Sequence, residues 1–333
     1  MLPYNFEAAN LRMLDYNFPR KPRFSPFSQL AILLMLVGLL FLFSGLVLAV
    51  LVSSWLHLPP GDLQEALLKP TNTNITRFLQ CATTFFGMAL PAYVFARIMS
   101  RQGFEYLGLN SALTGKQVFI IVGIVFIGII VSIVLSEVNE VVPISKSAET
   151  YFRNLEDEYT KQMIAIANMK TTQDYIVSLF IIALLPALFE EMLFRGSLQP
   201  VLISITKNPF TGILITSILF SAIHMSYYGF LPRLALGLMI GYVFYFSKNL
   251  WLSIITHFLY NAFGVTQIYA LSKAGQLNAD SMNETLPLYY GLLAFPALLA
   301  IFYIFKRESE LVISMYNLNH MPEDSSSHDN SAG

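Results

Sequence analysis

A single cysteine, Cys81, occurs in 333 residues, so neither a disulfide framework nor a cysteine-ligated metal site is available. Charge is scarce as well. Asp, Glu, Lys and Arg make up 12% of the chain, against about 25% in a soluble domain. The formal net charge of −1 argues against a nucleic-acid partner. Several catalytic signatures are missing. There is no HExxH, which excludes a zincin-like site on that motif, and no serine in a GxSxG setting. No aspartate falls inside a long apolar run, which argues against an aspartyl dyad. What the chain has in excess is apolar residues, 55% of the total, the composition of an integral membrane protein.

A membrane span needs about 20 predominantly apolar residues. Eight runs qualify, at 30–55, 78–96, 118–136, 175–206, 210–227, 231–247, 250–268 and 286–305. The fold class expected is therefore all-α, a polytopic membrane protein of about eight transmembrane helices. The sixth run is the least distinct, because Pro232-Arg233 opens it. The first run is too long for a signal peptide and is expected to be a retained anchor. With eight spans both termini share a side. That side carries eleven Lys and Arg, and the opposite segments carry eight in longer loops, which places both termini in the cytoplasm. Short loops and the lack of targeting features point to a prokaryotic plasma membrane.

Segment 137–172 is acidic, and Tyr151, Phe152, Leu155, Tyr159 and Met163 recur at three- and four-residue intervals. This predicts an extramembrane amphipathic helix, with a plain linker as the alternative. The remaining divisions are a cytoplasmic segment 1–29, N-terminal spans 30–136, a polar-cored unit 173–268, a last loop and span 269–305, and a polar disordered tail 306–333. No charge before residue 137 is expected in mid-membrane, so the chemistry should lie in 173–268.

That unit contains adjacent carboxylates, Glu190 and Glu191, in an apolar run, with Arg195 one helical turn later. Ionisable groups in hydrocarbon are costly and mark functional sites. Glu191 and Arg195 can pair at i,i+4. Glu190, turned by about 100° from Glu191, is then left to face a cavity as a general base. An ion pair that merely locks two helices accounts for Glu191 and Arg195 but not for Glu190. Phe220 and His224 share a helical face, as do His257 and Asn261. Counting about 1.5 Å per residue, Glu191 and His224 both stand roughly 21–23 Å from the turn near Pro209, whereas His257 stands only about 10 Å into its span. The mismatch calls for a tilted or shortened seventh helix, or for a fourth helix that ends early.

Glu190-Glu191-Met-Leu-Phe-Arg195, Phe220-Ser-Ala-Ile-His224 and His257-Phe-Leu-Tyr-Asn261 resemble the EExxxR, FxxxH and HxxxN motifs of the CAAX-protease and bacteriocin-processing (CPBP, or Abi) intramembrane proteases. The resemblance covers about residues 173–268. It implies an endopeptidase with its site inside a helix bundle, acting on membrane-associated or prenylated CAAX-type substrates. Glu190 and His224 would activate water, His257 and Asn261 would hold the oxyanion, and Glu191 and Arg195, with Phe220, would support them. Members of the family have been described both as metalloproteases and as metal-independent glutamate proteases. Glu190, His224 and His257 could bind zinc with an open position, while metal-independent chemistry leaves Glu190 free as base. The partners expected are the bilayer and a membrane-associated peptide or protein, in an oligomeric state the sequence leaves open. A proton-coupled carrier or a non-catalytic relative that binds another membrane protein are the competing classes.

Overall fold

In hydrocarbon every backbone N–H and C=O must be satisfied within its own segment, so long apolar runs become helices. The computed structural model describes residues 24–109, 113–166, 169, 171–277 and 286–319, and over them the regular structure is helical throughout. Helix α1 is Pro26–Leu56, α2 Leu63–Leu68, α3 Thr73–Met99 and α4 the single turn Gly103–Tyr106. Then follow α5 (Gly115–Glu140), α6 (Lys146–Ile166), α7 (Thr172–Thr206) and α8 (Pro209–Ala222). The last three are α9 (Phe230–Ser247), α10 (Leu250–Lys273) and α11 (Tyr289–Asn319).

All eight apolar runs fall on helices, but six of these helices are long and apolar enough to cross a membrane: α1, α3, α5, α7, α9 and α11. Helix α8 has 14 residues, about 21 Å. Helix α10 is continuous, and the polar residues His257 and Asn261 break its apolar run. Leu42, Phe43, Phe119, Phe126, Leu292 and Leu293 face outward from α1, α5 and α11, the apolar belt of an integral membrane protein. The indistinct sixth run is a continuous helix, α9. Segment 146–166 is a helix, not a linker. Helix α11 runs on to Asn319, so residues 306–319 are helical where a polar tail was expected. Residues 1–23 and 320–333 lie outside the described residues.

A buried charge also stands at the end of one N-terminal span. Arg77, in the first turns of α3, is only 4% exposed, and its Nη2 donates to Ser178 Oγ on α7 at 3.0 Å. A cation buried before residue 137 is tolerated because a hydroxyl from another helix receives it.

Three π-turns interrupt the spans, at Phe85–Ala89, Leu179–Leu184 and Phe194–Leu198. Each stands just before a proline, Pro91, Pro186 or Pro200. Proline lacks the N–H that the carbonyl four residues earlier needs, and a widened turn relieves both the clash and the lost bond. The third π-turn holds Arg195, so the widened turn lies within the site-bearing helix.

The hairpins α7–α8 and α9–α10 use the same turn chemistry. Lys207 and Lys248 adopt left-handed φ values of 53° and 55°. Asn208 and Asn249 then cap the next helix, accepting from Thr211 N and Trp251 N. Helices α7 and α8 approach closely at Gly212, where a Cβ would lie 2.8 Å from the Cα and the backbone N of Ile203. Backbone cannot step aside. Gly212→Ala is expected to cost about 1–3 kcal/mol, read as a lowered midpoint in denaturant titration of the purified protein.

Candidate active site

Glu191 and Arg195, one turn apart on α7, are both fully buried, and Arg195 Nη1 donates to Glu191 Oε1 at 2.6 Å. The same oxygen lies 2.8 Å from His257 Nδ1 on α10. Arg195 Nη2 donates to the carbonyl of Gly237 at 3.1 Å, and its guanidinium carbon sits 4.6 Å from the centre of the Phe220 ring. One carboxylate thus ties α7 to α10, and its arginine ties α7 to α9. Gly237 allows this because α8 passes so close that a Cβ there would meet Ser217 at 2.9 Å.

Glu190 does not share this network. It is 9% exposed, lines a cavity of about 780 Å³, and its Oε2 has no hydrogen-bond partner among the described residues. His224, His257, Asn261 and Phe220 line the same cavity. Every site residue expected from the sequence is therefore either on the cavity wall or directly behind it.

His224 is not where the sequence placed it. Helix α8 ends at Ala222, and His224 lies in the following turn. Its backbone N–H goes to Ser221, so the helix end does not give Phe220 its usual i+4 donor. The His224 side chain takes the place of that donor, with Nδ1 2.8 Å from the Phe220 carbonyl. A carbonyl only accepts, so Nδ1 carries the proton. Nε2 of the neutral ring is then left as an acceptor. Phe220 packs edge-on to both imidazoles, at 5.3 Å from His224 and 5.6 Å from His257.

The height mismatch of His257 is met by contacts from outside the unit 173–268. Helix α10 is neither short nor missing its early turns. Instead, its start is raised on a ledge formed by Leu107–Leu109, just after α4. Leu250 N donates to Gly108 O at 3.0 Å and Trp251 Nε1 to Leu109 O at 2.7 Å. Gly108 adopts φ +83°, and a Cβ there would stand 3.2 Å from Lys248 O. On its other side the ledge touches α7 at Gly196, where a Cβ would be 2.9 Å from Leu107. The α9–α10 turn therefore sits near the level of Gly196, not of Thr206. His257 is seven residues above the one and Glu191 five above the other, about 10 and 7.5 Å, so they meet.

Two polar residues were missed in the sequence. Asn139, 3% exposed at the end of α5, donates to Tyr227 O at 2.9 Å and accepts from Leu231 N at 3.2 Å. It clamps the loop that carries His224. Arg233, counted from sequence among loop charges, is in the first turn of α9 and lines the cavity. Its position beside Pro232 at the head of an apolar run was the available signal. Helix α6 lies across this end of the cavity, contributing Tyr159, Gln162 and Met163 to the wall. It is held by Ser226 Oγ donating to Glu156 Oε2 at 2.7 Å and by stacking of Phe152 on Tyr227 at 4.7 Å.

As a zinc site the three candidate ligands do not fit as they stand. Glu190, His224 and His257 share a cavity, yet among the described residues no three His, Cys, Asp or Glu side chains are grouped so as to hold a metal ion.

The fold and site thus define a helical integral membrane protein with a buried glutamate–histidine cavity. Residues 172–263 match the Rce1-like family model, described as type II CAAX prenyl endopeptidase Rce1-like. The match spans under a third of the chain and includes all three motifs, together with Arg233. Neither a curated protein nor a solved structure matches the chain. The matched family is one of peptidases that act at membranes, which agrees with the apolar belt and with the motif resemblance.

Proposed function

We propose that this protein is an intramembrane endopeptidase that hydrolyses membrane-associated substrates of the prenylated CAAX type, using water activated by Glu190 and His224 without a metal. The observation that carries the reading is the unpartnered Glu190 oxygen in a cavity it shares with the acceptor nitrogen of His224. A water between them would donate one proton to His224 Nε2 and the other to the Glu190 carboxylate. As the water oxygen attacks the scissile carbonyl carbon, Glu190 takes its proton, and the carbonyl π electrons move to oxygen. That oxyanion needs donors. Asn261 supplies its amide N–H. His257 supplies Nε2–H in the doubly protonated ring, whose Nδ1–H then donates to Glu191. Collapse of the intermediate breaks the C–N bond, and Glu190 returns its proton to the leaving amine.

The supporting shell has a defined task. Glu191 and Arg195 fix the ring plane of His257, and Phe220 fills the space between the two imidazoles. The setting proposed is a prokaryotic plasma membrane with both termini cytoplasmic. The test is cleavage of internally quenched peptides, prenylated CAAX peptides among them, by purified protein in detergent, with and without a strong zinc chelator. Cleavage that persists in chelator is expected. Loss of cleavage in chelator, restored by zinc, would replace the glutamate mechanism with a metal one. No cleavage of any peptide by folded protein would favour the carrier or scaffold classes.

A further inference from the structure

Arg233 is a cation that no carboxylate contacts directly among the described residues. Its Nη1 is buried without a hydrogen-bond partner among them. It is the only Lys or Arg among the residues lining the cavity, on a wall that also carries Glu137, Glu140 and Glu190. Its charge is felt at both Glu190 and His224, so it stands close to the proposed chemistry without binding either group.

Its position is fixed. The guanidinium carbon lies 5.1 Å from the centre of the Tyr159 ring on α6. Gly229 leaves room on another side, where a Cβ would fall 2.1 Å from Nη1. An arginine held this way, with an unused N–H, is organised for an acceptor that arrives from outside. A guanidinium matches a carboxylate in plane and charge. The three nearby glutamates oppose a more highly charged anion, so a single carboxylate suits the wall better than a phosphate group.

We propose that Arg233 forms a carboxylate subsite, which binds the free C-terminal carboxylate of a substrate peptide cut near its end. The subsite rests on the peptidase reading above and makes it specific: Arg233 selects for a free carboxyl terminus and takes no part in proton transfer. Charge-assisted pairing of this kind is worth about tenfold or more in affinity.

The experiment compares two fluorescent farnesylated CAAX peptides, identical except that one ends in a carboxylate and the other in a carboxamide. Each is titrated against the full-length protein in detergent. Wild type is expected to bind the acid at least about tenfold more tightly than the amide. Arg233→Gln should bind both peptides as wild type binds the amide, and Arg233→Lys should recover part of the difference. Gly229→Ala is a second route that leaves the arginine in place: it displaces the guanidinium and should also shrink the preference. Equal binding of acid and amide by wild type overturns the subsite, as does binding of neither, or a preference undiminished in Arg233→Gln and Gly229→Ala. Because binding is read without turnover, the outcomes separate. Acid preference in a protein that cleaves nothing keeps the subsite and removes the peptidase reading. Equal cleavage of acid and amide, with equal binding, does the reverse.

Discussion

Replacing Glu190 by alanine is expected to lower peptide hydrolysis by about 10²–10⁴-fold, the range a positioned general base contributes, while leaving the protein folded. The asymmetry follows from the contacts. Glu190 Oε2 has no hydrogen-bond partner among the described residues, so its removal costs the fold little. Glu190→Gln is the sharper variant. It keeps the volume and a polar oxygen but cannot take a proton at neutral pH, so it should be as inactive as the alanine variant. The measurement is the turnover of a quenched peptide beside a thermal unfolding curve of the same sample. Activity within a fewfold of wild type in either variant would remove Glu190 from the mechanism and leave the histidines to account for water activation.

The second large effect is expected at Glu191, and it should appear in stability before activity. Glu191→Ala leaves Arg195 as a fully buried cation without its carboxylate. Breaking a buried pair on one side costs about 3–5 kcal/mol. The same change frees His257 Nδ1, so any folded fraction should hydrolyse poorly. A double variant separates the two consequences. Glu191→Leu with Arg195→Met removes both charges and keeps apolar volume, a replacement that is often neutral for stability. It should recover the fold without recovering hydrolysis, because His257 still lacks its anchor. If Glu191→Ala unfolds at the wild-type midpoint, the pair does not hold the bundle together.

The i,i+4 spacing of Glu191 and Arg195 was enough to pair them, because helix geometry is local and the alternative was an unpaired charge in hydrocarbon. The same rotation argument left Glu190 for the cavity, where it is. The apolar runs gave the helices, since length and composition decide that in a membrane. What was not legible depended on contacts between distant segments. Nothing in Phe220–His224 signals that the helix ends at Ala222, because the residues that follow are compatible with another turn. Asn139 and Arg233 each look like residues of a span end, and only the folded bundle sets Asn139 against the loop between α8 and α9 and Arg233 on the cavity wall. Length and composition by themselves support six of the eight expected spans, and α8 is an apolar helix of 14 residues.

The ledge at Leu107–Leu109 has a consequence for how this protein can be taken apart. It sets the level of the α9–α10 turn relative to α7, yet it lies more than sixty residues before the stretch 172–263 that carries every motif. Asn139, which clamps the His224 loop, is also outside that stretch. The recognisable part of the chain is therefore not a module that could be excised or grafted onto another set of helices with its geometry intact. The vertical alignment of glutamate and histidine is inherited from a neighbour with no catalytic residue of its own, and a minimal version of this protein has to begin upstream of Gly103.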